Sequence, residues 1–307
     1  MRNNSIFASY AQIVFSAVLF GFLIFGGGMM RKYGFSLMEV MILPALIVVV
    51  ILFGFVRKDI KNFYGVPLWV SLTYFLLNII GHFSQYAPLF FGVSVSLTLF
   101  LLYTQPVWTI LISVAFLKEK FTRHDAAITL TIIAGLVLLF APWQDMAYSV
   151  IGIVFGLIAG MEMSGWIVFT SHFSKKEAKP LTTTFFINFY AAIPFLLALP
   201  LIGKIFPNPE ISAFSFDKPL MIMVYVFLFA VIVCIGARLL FCRGAKHIDN
   251  VYLGLLLLLE PVTGSFLDVV FFGNILTWNM ITGGVLILAA NVILILKNTK
   301  TQNCESI

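Results

Sequence analysis

Three ionisable side chains stand near the middle of long apolar stretches of this sequence. They are His82, Glu162 and Glu260. At the centre of a bilayer such a side chain costs about 2.5 to 3.5 kcal/mol on insertion scales, so it normally faces a cavity or a partner. A carboxyl group in that position can bind an ammonium group or carry a proton. The three residues therefore predict a polar site at a common depth.

Polar residues form a stripe around His82. Asn78, His82, Gln85 and Tyr86 follow one another at spacings of three and four, and Tyr74 extends the row by one more turn. These spacings place the side chains on one face of a helix. Lipid would penalise such a face, so the stripe predicts either a wet cavity or a hydrogen-bonded helix contact.

Glu162 has an aromatic neighbour one helical turn further along, Trp166. A carboxylate beside an indole can hold an ammonium group through charge and through a cation–π attraction of about 0.5 to 2 kcal/mol. The alternative is a protonated Glu162 that makes an interhelical hydrogen bond. Both readings place Glu162 away from lipid.

A row of small residues lies on the other side of the helix that carries Glu162. Gly152, Gly156, Gly160 and Ser164 recur at spacings of four. Small residues at this spacing let two helix backbones approach closely. The row predicts a packing surface, and Glu162 points away from it because successive residues turn by about 100°.

Two further candidates, Gln105 and Glu260, directly precede Pro106 and Pro261. A proline inside a helix removes a backbone donor and frees a carbonyl one turn earlier. Kinks at matching places in two halves of a transporter favour a binding site there. Glu260 could bind a substrate amine, carry a proton, or simply bond the freed carbonyls.

The elements that must position these residues are membrane-spanning helices. The chain has 307 residues, of which 61% are hydrophobic and 10% charged. Its apolar runs match the length needed to cross a hydrocarbon core of about 30 Å as a helix, whereas a β-barrel would show short alternating segments. The predicted fold is an all-α integral membrane protein with ten spans: 6–29, 36–56, 67–90, 92–117, 126–141, 149–171, 182–203, 219–241, 250–272 and 275–296.

The charged residues predict the orientation of these spans. Most of the 19 Lys and Arg residues fall in loops on one side, which predicts that both termini are cytoplasmic. The net charge of +6 is thereby explained without a nucleic-acid partner. Arg238 is expected to snorkel to the cytoplasmic surface. Glu39 and Asp268 are expected at the opposite interface, close to water.

An internal repeat divides the chain into residues 1–145 and 146–307. Gln105-Pro106-Val107 in the fourth span recurs as Glu260-Pro261-Val262 in the ninth. Each half has five predicted helices, and an odd number inserts the second half upside down relative to the first. The pattern favours the inverted-repeat plan of many secondary transporters.

The two proline-containing stretches, Leu101 to Val107 and Leu257 to Val262, with the turn Leu117-Lys118-Glu119-Lys120 after the first, carry a family resemblance. Together with ten spans in two halves, they resemble the EamA family of the drug/metabolite transporter superfamily along essentially the whole chain. The resemblance implies a ten-helix carrier for amino acids, other small metabolites or toxic compounds in the cytoplasmic membrane. The family's acidic residue after the second stretch is missing, because that turn reads Phe271-Phe272-Gly273-Asn274.

The leading functional prediction is a secondary transporter that moves an amino acid or another cationic or zwitterionic amine across the cell membrane by alternating access. The substrate could be coupled to protons or exchanged for another metabolite. Broad efflux of hydrophobic cations is the alternative, and an intramembrane enzyme is a remote one. The sequence has no His-Glu-x-x-His metal motif and no phosphate-binding loop, so no enzyme activity, metal or cofactor is predicted. The candidate substrate-binding residues are Asn78, His82, Tyr86, Gln105, Glu162, Trp166 and Glu260.

Overall fold

A computed structural model of the chain describes residues 2–59, 68–116, 118, 121–140, 149–173, 180–244 and 256–305. The secondary structure in these ranges is helical. The helices are α1 (Arg2–Lys32), α2 (Leu37–Val56), α3 (Leu68–Phe90), α4 (Val95–Leu102), α5 (Gln105–Phe116), α6 (Arg123–Phe140), α7 (Val150–Phe173), α8 (Pro180–Ile205), α9 (Pro209–Ser212), α10 (Leu220–Leu228), α11 (Arg238–Gly244), α12 (Leu259–Leu267) and α13 (Trp278–Glu305).

Two stretches are π-helical, with hydrogen bonds from residue i to residue i+5. Phe229–Ala237 joins α10 to α11, so that these segments form one rod, and Asp268–Phe272 continues α12. Helical residues coincide with each of the ten predicted spans, although the ninth is described only from residue 256. Five stretches in the described ranges are long and apolar enough to cross a membrane: Ala8–Lys32, Leu37–Val56, Val95–Ile112, Leu181–Ile205 and Leu220–Gly244.

Helices of the first half of the chain pack directly against helices of the second half. Helix α1 lies against the α10–α11 rod and α12, whereas α7 lies against α3, α4 and α5. Helix α2 packs on α8, and α6 packs on α13. Each half therefore completes the core of the other, and the interior of the bundle is lined from both halves.

The small-residue row on α7 is confirmed as a packing surface. A Cβ atom on Gly160 would stand 3.0 Å from the carbonyl oxygens of Leu101 and Leu102, so the two backbones touch. One turn further along, Ser164 Oγ donates a hydrogen bond of 2.7 Å to the Gln105 carbonyl. The close approach brings α7 directly against the break between α4 and α5.

One end of the bundle, which we call the packed end, is closed by apolar side chains and interhelical links. It comprises the C-terminal parts of α1 and α3, the start of α2, and the π-helical stretch after α12. Phe25 meets Phe271 and Phe272 edge-to-face, with ring centroids 5.3 and 5.6 Å apart. Lys32 Nζ donates to the Phe271 carbonyl at 3.2 Å, and Arg31 donates to the Leu89 carbonyl.

The expectation that Asp268 lies close to water is wrong. Its side chain is fully buried at the packed end. The carboxylate accepts hydrogen bonds from Ser96 N at 3.0 Å and Ser96 Oγ at 2.6 Å, and from Asn274 Nδ2 at 2.9 Å. It caps the first turn of α4, where unpaired backbone N–H groups favour an anion. Asn274 stands in the turn that lacks the family's acidic residue.

The same correction applies to Glu39, which is 1% exposed. It forms a capping box with Ser36 at the start of α2 and accepts a 2.9 Å hydrogen bond from Ser215 N. Lys218 Nζ lies 3.0 Å from the same carboxylate. The sequence positions of Asp268 and Glu39 predicted that they lie at the membrane–water interface. Hydrogen-bond donors from other parts of the fold make their burial possible instead.

Candidate functional site

A cavity of about 350 Å³ lies among α1, α3, α7, α8, the α10–α11 rod and α12. Most of its lining comes from the middle of these helices and from their halves that point away from the packed end. The polar and charged lining residues are Asn78, His82, Gln85, Tyr86, Glu162, Asn188, Arg238 and Glu260. Ionisable groups from both halves of the chain therefore face one space.

Five of the seven predicted site residues line this cavity, namely Asn78, His82, Tyr86, Glu162 and Glu260. Gln105 does not, because its amide Nε2 donates to Thr109 Oγ1 at 2.9 Å on its own helix. The side chain of Trp166 lies outside the described part of the structure, so its proposed cation–π role stays a prediction.

The stripe on α3 forms one wall of the cavity. Asn78, His82, Gln85 and Tyr86 all reach it, and Gln85 lines the same cavity as Glu162, which faces it from α7. Of the two predicted readings of the stripe, the structure therefore shows the cavity. The cavity explains how an otherwise apolar α3 keeps this polar face.

Gly81 makes room for Glu162. A Cβ atom at position 81 would lie 2.4 Å from the Glu162 carboxyl carbon and 2.5 and 2.6 Å from its oxygens. Real side chains do not approach so closely, so the carboxyl group rests directly on the α3 backbone. This contact fixes the direction in which Glu162 faces the cavity.

Glu260 lies on the opposite wall, near the break before Pro261. Tyr103 Oη, from the end of α4, lies 3.1 Å from Glu260 Oε2 and 3.1 Å from the Leu257 carbonyl oxygen. Pro261 has no N–H, so the Leu257 carbonyl lacks the intrahelical donor that another residue at 261 would supply. A tyrosine from the other half of the chain supplies a donor instead.

The break between α4 and α5 is held by similar means. The Tyr103 carbonyl accepts a 3.0 Å hydrogen bond from Asn291 Nδ2 on α13. Thr104 Oγ1 donates to the Leu101 carbonyl at 2.7 Å. Two carbonyl groups beside the break, those of Leu101 and Tyr103, therefore have side-chain partners, which stabilise the irregular backbone beside the cavity.

Arg238 is the residue that sequence reasoning misplaced. It lines the cavity with Glu162 and Glu260, whereas its sequence position predicted that it would snorkel to the cytoplasmic surface. The π-helical stretch Phe229–Ala237 ends directly before it, and the larger π turns rotate every residue that follows them. No simple apolar pattern predicts such a stretch, and the position of Arg238 near the cytoplasmic end of its span did not indicate that it would line the cavity.

The cavity can hold a ligand that carries both charges. Carboxyl groups at Glu162 and Glu260 suit an ammonium group, and the guanidinium group of Arg238 suits a carboxylate. Asn78 and Asn188 add amide groups that can donate or accept. The lining in the described residues contains no cluster of His, Cys, Asp and Glu suited to a metal ion.

Comparison with known proteins shows similarity to transporters. Residues 150–296 match the model of the EamA-like transporter family. An uncharacterized transporter of Archaeoglobus fulgidus is 25% identical over 287 residues, which cover 92% of this chain and 94% of that protein. The uncharacterized transporter YdfC of Bacillus subtilis is 30% identical over 142 residues, or 45% of this chain and 46% of that protein.

A solved crystal structure has the same fold. It is 18% identical, with a TM-score of 0.55, and the match covers 95% of this chain and 98% of that one. The predicted resemblance to the EamA family is confirmed by the family match. Together the matches and the apolar helices indicate a multi-pass membrane transporter.

Proposed function

We propose, from the premise that residues 150–296 are an EamA-like transporter unit, that the chain is a secondary transporter for a small zwitterionic or cationic amine such as an amino acid. The cavity between the two halves is the proposed binding site. Asn78, His82, Tyr86, Glu162 and Glu260 are its proposed substrate contacts, together with Arg238.

The observation that carries this proposal is the lining of the cavity. Two carboxyl groups, a guanidinium group and an imidazole face one space inside a bundle of apolar helices. Ionisable groups inside a membrane protein are costly and normally mark a substrate or ion pathway. A ligand with an ammonium group and a carboxylate would offer a partner to both signs of charge.

The size of the cavity favours a small ligand over a bulky drug. Ligand pockets usually range from about 300 to 1,000 Å³, and this one, at about 350 Å³, is at the lower end. Efflux of large hydrophobic cations would need a wider and less charged space. Transport of a small metabolite fits the dimensions better.

The packing of the helices supports alternating access between two inverted five-helix halves, residues 1–145 and 146–307. The contact of α1 with the α10–α11 rod has its counterpart in the contact of α7 with α3. Likewise, α1 meets α12 as α7 meets α4. Pairs exchanged in this way are what a pseudo-two-fold axis in the membrane plane would produce.

In this proposal the protein lies in the cytoplasmic membrane, with both termini in the cytoplasm and the packed end on the opposite side. The distribution of Lys and Arg in the sequence supports that orientation. Transport would be driven by exchange for another metabolite or by coupling to protons, with Glu260 as the proton carrier.

Counterflow into liposomes tests the proposal. The purified protein is reconstituted in vesicles loaded with pooled amino acids or pooled amines, and uptake of labelled trace substrate is followed. Glu162→Ala and Glu260→Ala are compared with Glu210→Ala, because Glu210 is an exposed acidic residue in the short helix α9. Saturable counterflow is expected in the wild type and in Glu210→Ala.

The two cavity variants are expected to lose counterflow at least tenfold, which corresponds to about 1.4 kcal/mol of binding or transition-state energy. Equal counterflow in all four proteins would remove the cavity carboxyl groups from the mechanism. Counterflow of hydrophobic cations alone, without amino acids or small amines, would favour the efflux function instead.

A further inference from the structure

The hydroxyl group of Tyr103 stands between two acceptors and has a single proton. Oη lies 3.1 Å from Glu260 Oε2 and 3.1 Å from the Leu257 carbonyl oxygen. A carbonyl oxygen can only accept, whereas a carboxyl group accepts when ionised and can donate when protonated. Both contacts can therefore be full hydrogen bonds only if Glu260 carries a proton.

The two protonation states of Glu260 thus lead to two hydrogen-bond arrangements. When Glu260 is ionised, the stronger acceptor is the carboxylate, and Tyr103 donates to it. When a proton from the aqueous phase of the cavity binds to Glu260, the new O–H donates to Tyr103 Oη, and Tyr103 turns its own proton to the Leu257 carbonyl. No proton leaves Tyr103 in either state.

The Leu257 carbonyl is the group that the helix break leaves without an intrahelical donor. An ordinary residue at position 261 would donate its N–H to this oxygen, but Pro261 cannot. When Glu260 is protonated, Tyr103 therefore donates to the Leu257 carbonyl and replaces the missing N–H. When Glu260 is ionised, Tyr103 donates to Glu260 instead, and the Leu257 carbonyl loses this donor. A carbonyl group without a donor is unfavourable in a low-dielectric interior, so the geometry of the break depends on which state is present.

We propose that Tyr103 is a positioning residue that couples the protonation of Glu260 to the helix break at Pro261. Tyr103 belongs to the first half of the chain, whereas Glu260, Leu257 and Pro261 belong to the second. Protonation on one wall of the cavity is thereby transmitted to the contact between the halves. The inference deepens the proposed transport function and depends on it for its physiological meaning.

Other titratable groups face the same cavity and must be separated from Glu260. Among the described residues they are His82 and Tyr86 on α3, Glu162 on α7, and Cys234 and Arg238 on the α10–α11 rod. From α1, the neighbouring helix on the other side, the cavity is lined by Phe20, Leu23 and Ile24, which do not titrate. A test must therefore identify Glu260 and Tyr103 individually.

Infrared difference spectroscopy between low and high pH provides such a test. The full-length protein is measured in lipid vesicles without substrate, as wild type, Tyr103→Phe, Glu260→Gln and Tyr225→Phe. Tyr225 is the matched control, since it is a partly buried tyrosine whose Oη lies 3.5 Å from the Gly26 carbonyl, outside the cavity lining. The wild type is expected to show a carboxyl band and a tyrosine band that change together with pH.

The carboxyl band is expected to disappear in Glu260→Gln, and the tyrosine band in both Glu260→Gln and Tyr103→Phe. Tyr225→Phe should keep both bands. A tyrosine band that survives in Tyr103→Phe or in Glu260→Gln would overturn the proposal. If Tyr103→Phe does not fold, fluorotyrosine at position 103 keeps the hydroxyl group and the shape, and the band must then shift in frequency.

The test does not depend on transport. If counterflow fails for every substrate while the tyrosine band behaves as described, the transport function is wrong and the coupling is right. If counterflow occurs and the tyrosine band does not depend on Glu260, only the coupling is wrong.

Discussion

The buried carboxyl groups of the packed end and of the cavity differ in how fully they are satisfied. At the packed end, Asp268 accepts from Ser96 N, Ser96 Oγ and Asn274 Nδ2. Glu39 likewise has Ser36 N, Ser215 N and Lys218 Nζ around it. A carboxylate offers about four lone-pair sites, so these two are nearly saturated.

The carboxyl groups of Glu162 and Glu260 in the cavity have acceptor sites that are not filled by donors from the described residues. In the described part of the chain, Glu260 accepts from a neutral side chain, Tyr103, and Glu162 lines the cavity without forming an ion pair. Their remaining lone pairs face a space that a ligand can enter. The comparison teaches that burial alone does not mark a functional carboxyl group, whereas burial with unused acceptor sites beside a cavity does.

The largest expected effect comes from removing the saturated carboxylate of Asp268. In Asp268→Ala, the buried Ser96 N–H and hydroxyl lose their acceptor, and each buried unsatisfied group costs about 1 to 3 kcal/mol. We expect the free energy of unfolding to fall by about 2 to 5 kcal/mol, measured by denaturant titration in detergent micelles.

The control for this prediction is Asp217→Ala, because Asp217 is exposed in the loop before α10. That variant should unfold like the wild type. A stability of Asp268→Ala equal to that of the control would contradict the view that the packed end depends on saturated polar links.

The second effect concerns function rather than stability. In Gly81→Ala, the new methyl group would occupy the position of the Glu162 carboxyl group and displace it. We expect counterflow to fall about tenfold, equivalent to about 1.4 kcal/mol, with a change in unfolding free energy below that of Asp268→Ala.

Gly54 is the matched glycine for this experiment. It lies within α2, and a Cβ atom there would meet nothing within 4 Å. Gly54→Ala should transport normally and gain up to about 1 kcal/mol of stability from helix propensity. Normal counterflow in Gly81→Ala would show that the position of Glu162 is not critical.

The smallest expected effect is at Lys218, whose ammonium group pairs with Glu39 at 3.0 Å. In Lys218→Met the carboxylate keeps its two backbone N–H donors, so the unfolding free energy should fall by only about 1 kcal/mol. Counterflow should be unchanged. A loss as large as that of Asp268→Ala would mean that charge pairing, rather than hydrogen bonding, holds the packed end together.

Periodicity in the sequence predicted those features that depend on one helix at a time. The helical residues in each predicted span, the packing row from Gly152 to Ser164 and the stripe around His82 all follow from spacing along a single helix. Burial of Asp268 could not be predicted in this way, because its donors lie on α4 and in the turn after Phe272.

The positions of Gln105 and Arg238 show a second limit. Gln105 has the polar type and the proline neighbour of a site residue, yet its amide group bonds Thr109 one turn along its own helix. The direction of the Arg238 side chain depends on the π-helical stretch that ends directly before it. A hydrophobic pattern predicts neither the hydrogen bond that a side-chain amide makes within its own helix nor a change of helical register.

The π-helical stretch has residues on the outside of the bundle and is followed directly by a residue that lines the cavity. Ile232, inside the stretch, is 49% exposed on the outside of the bundle, whereas Arg238, directly after the stretch, faces inward. Deleting one residue between them would turn Arg238 by about 100° around the helix axis. The charge presented to a substrate is therefore set in part by the hydrogen-bond register of the π-helical stretch, and an insertion or deletion there would change which side chains of the α10–α11 rod face the cavity.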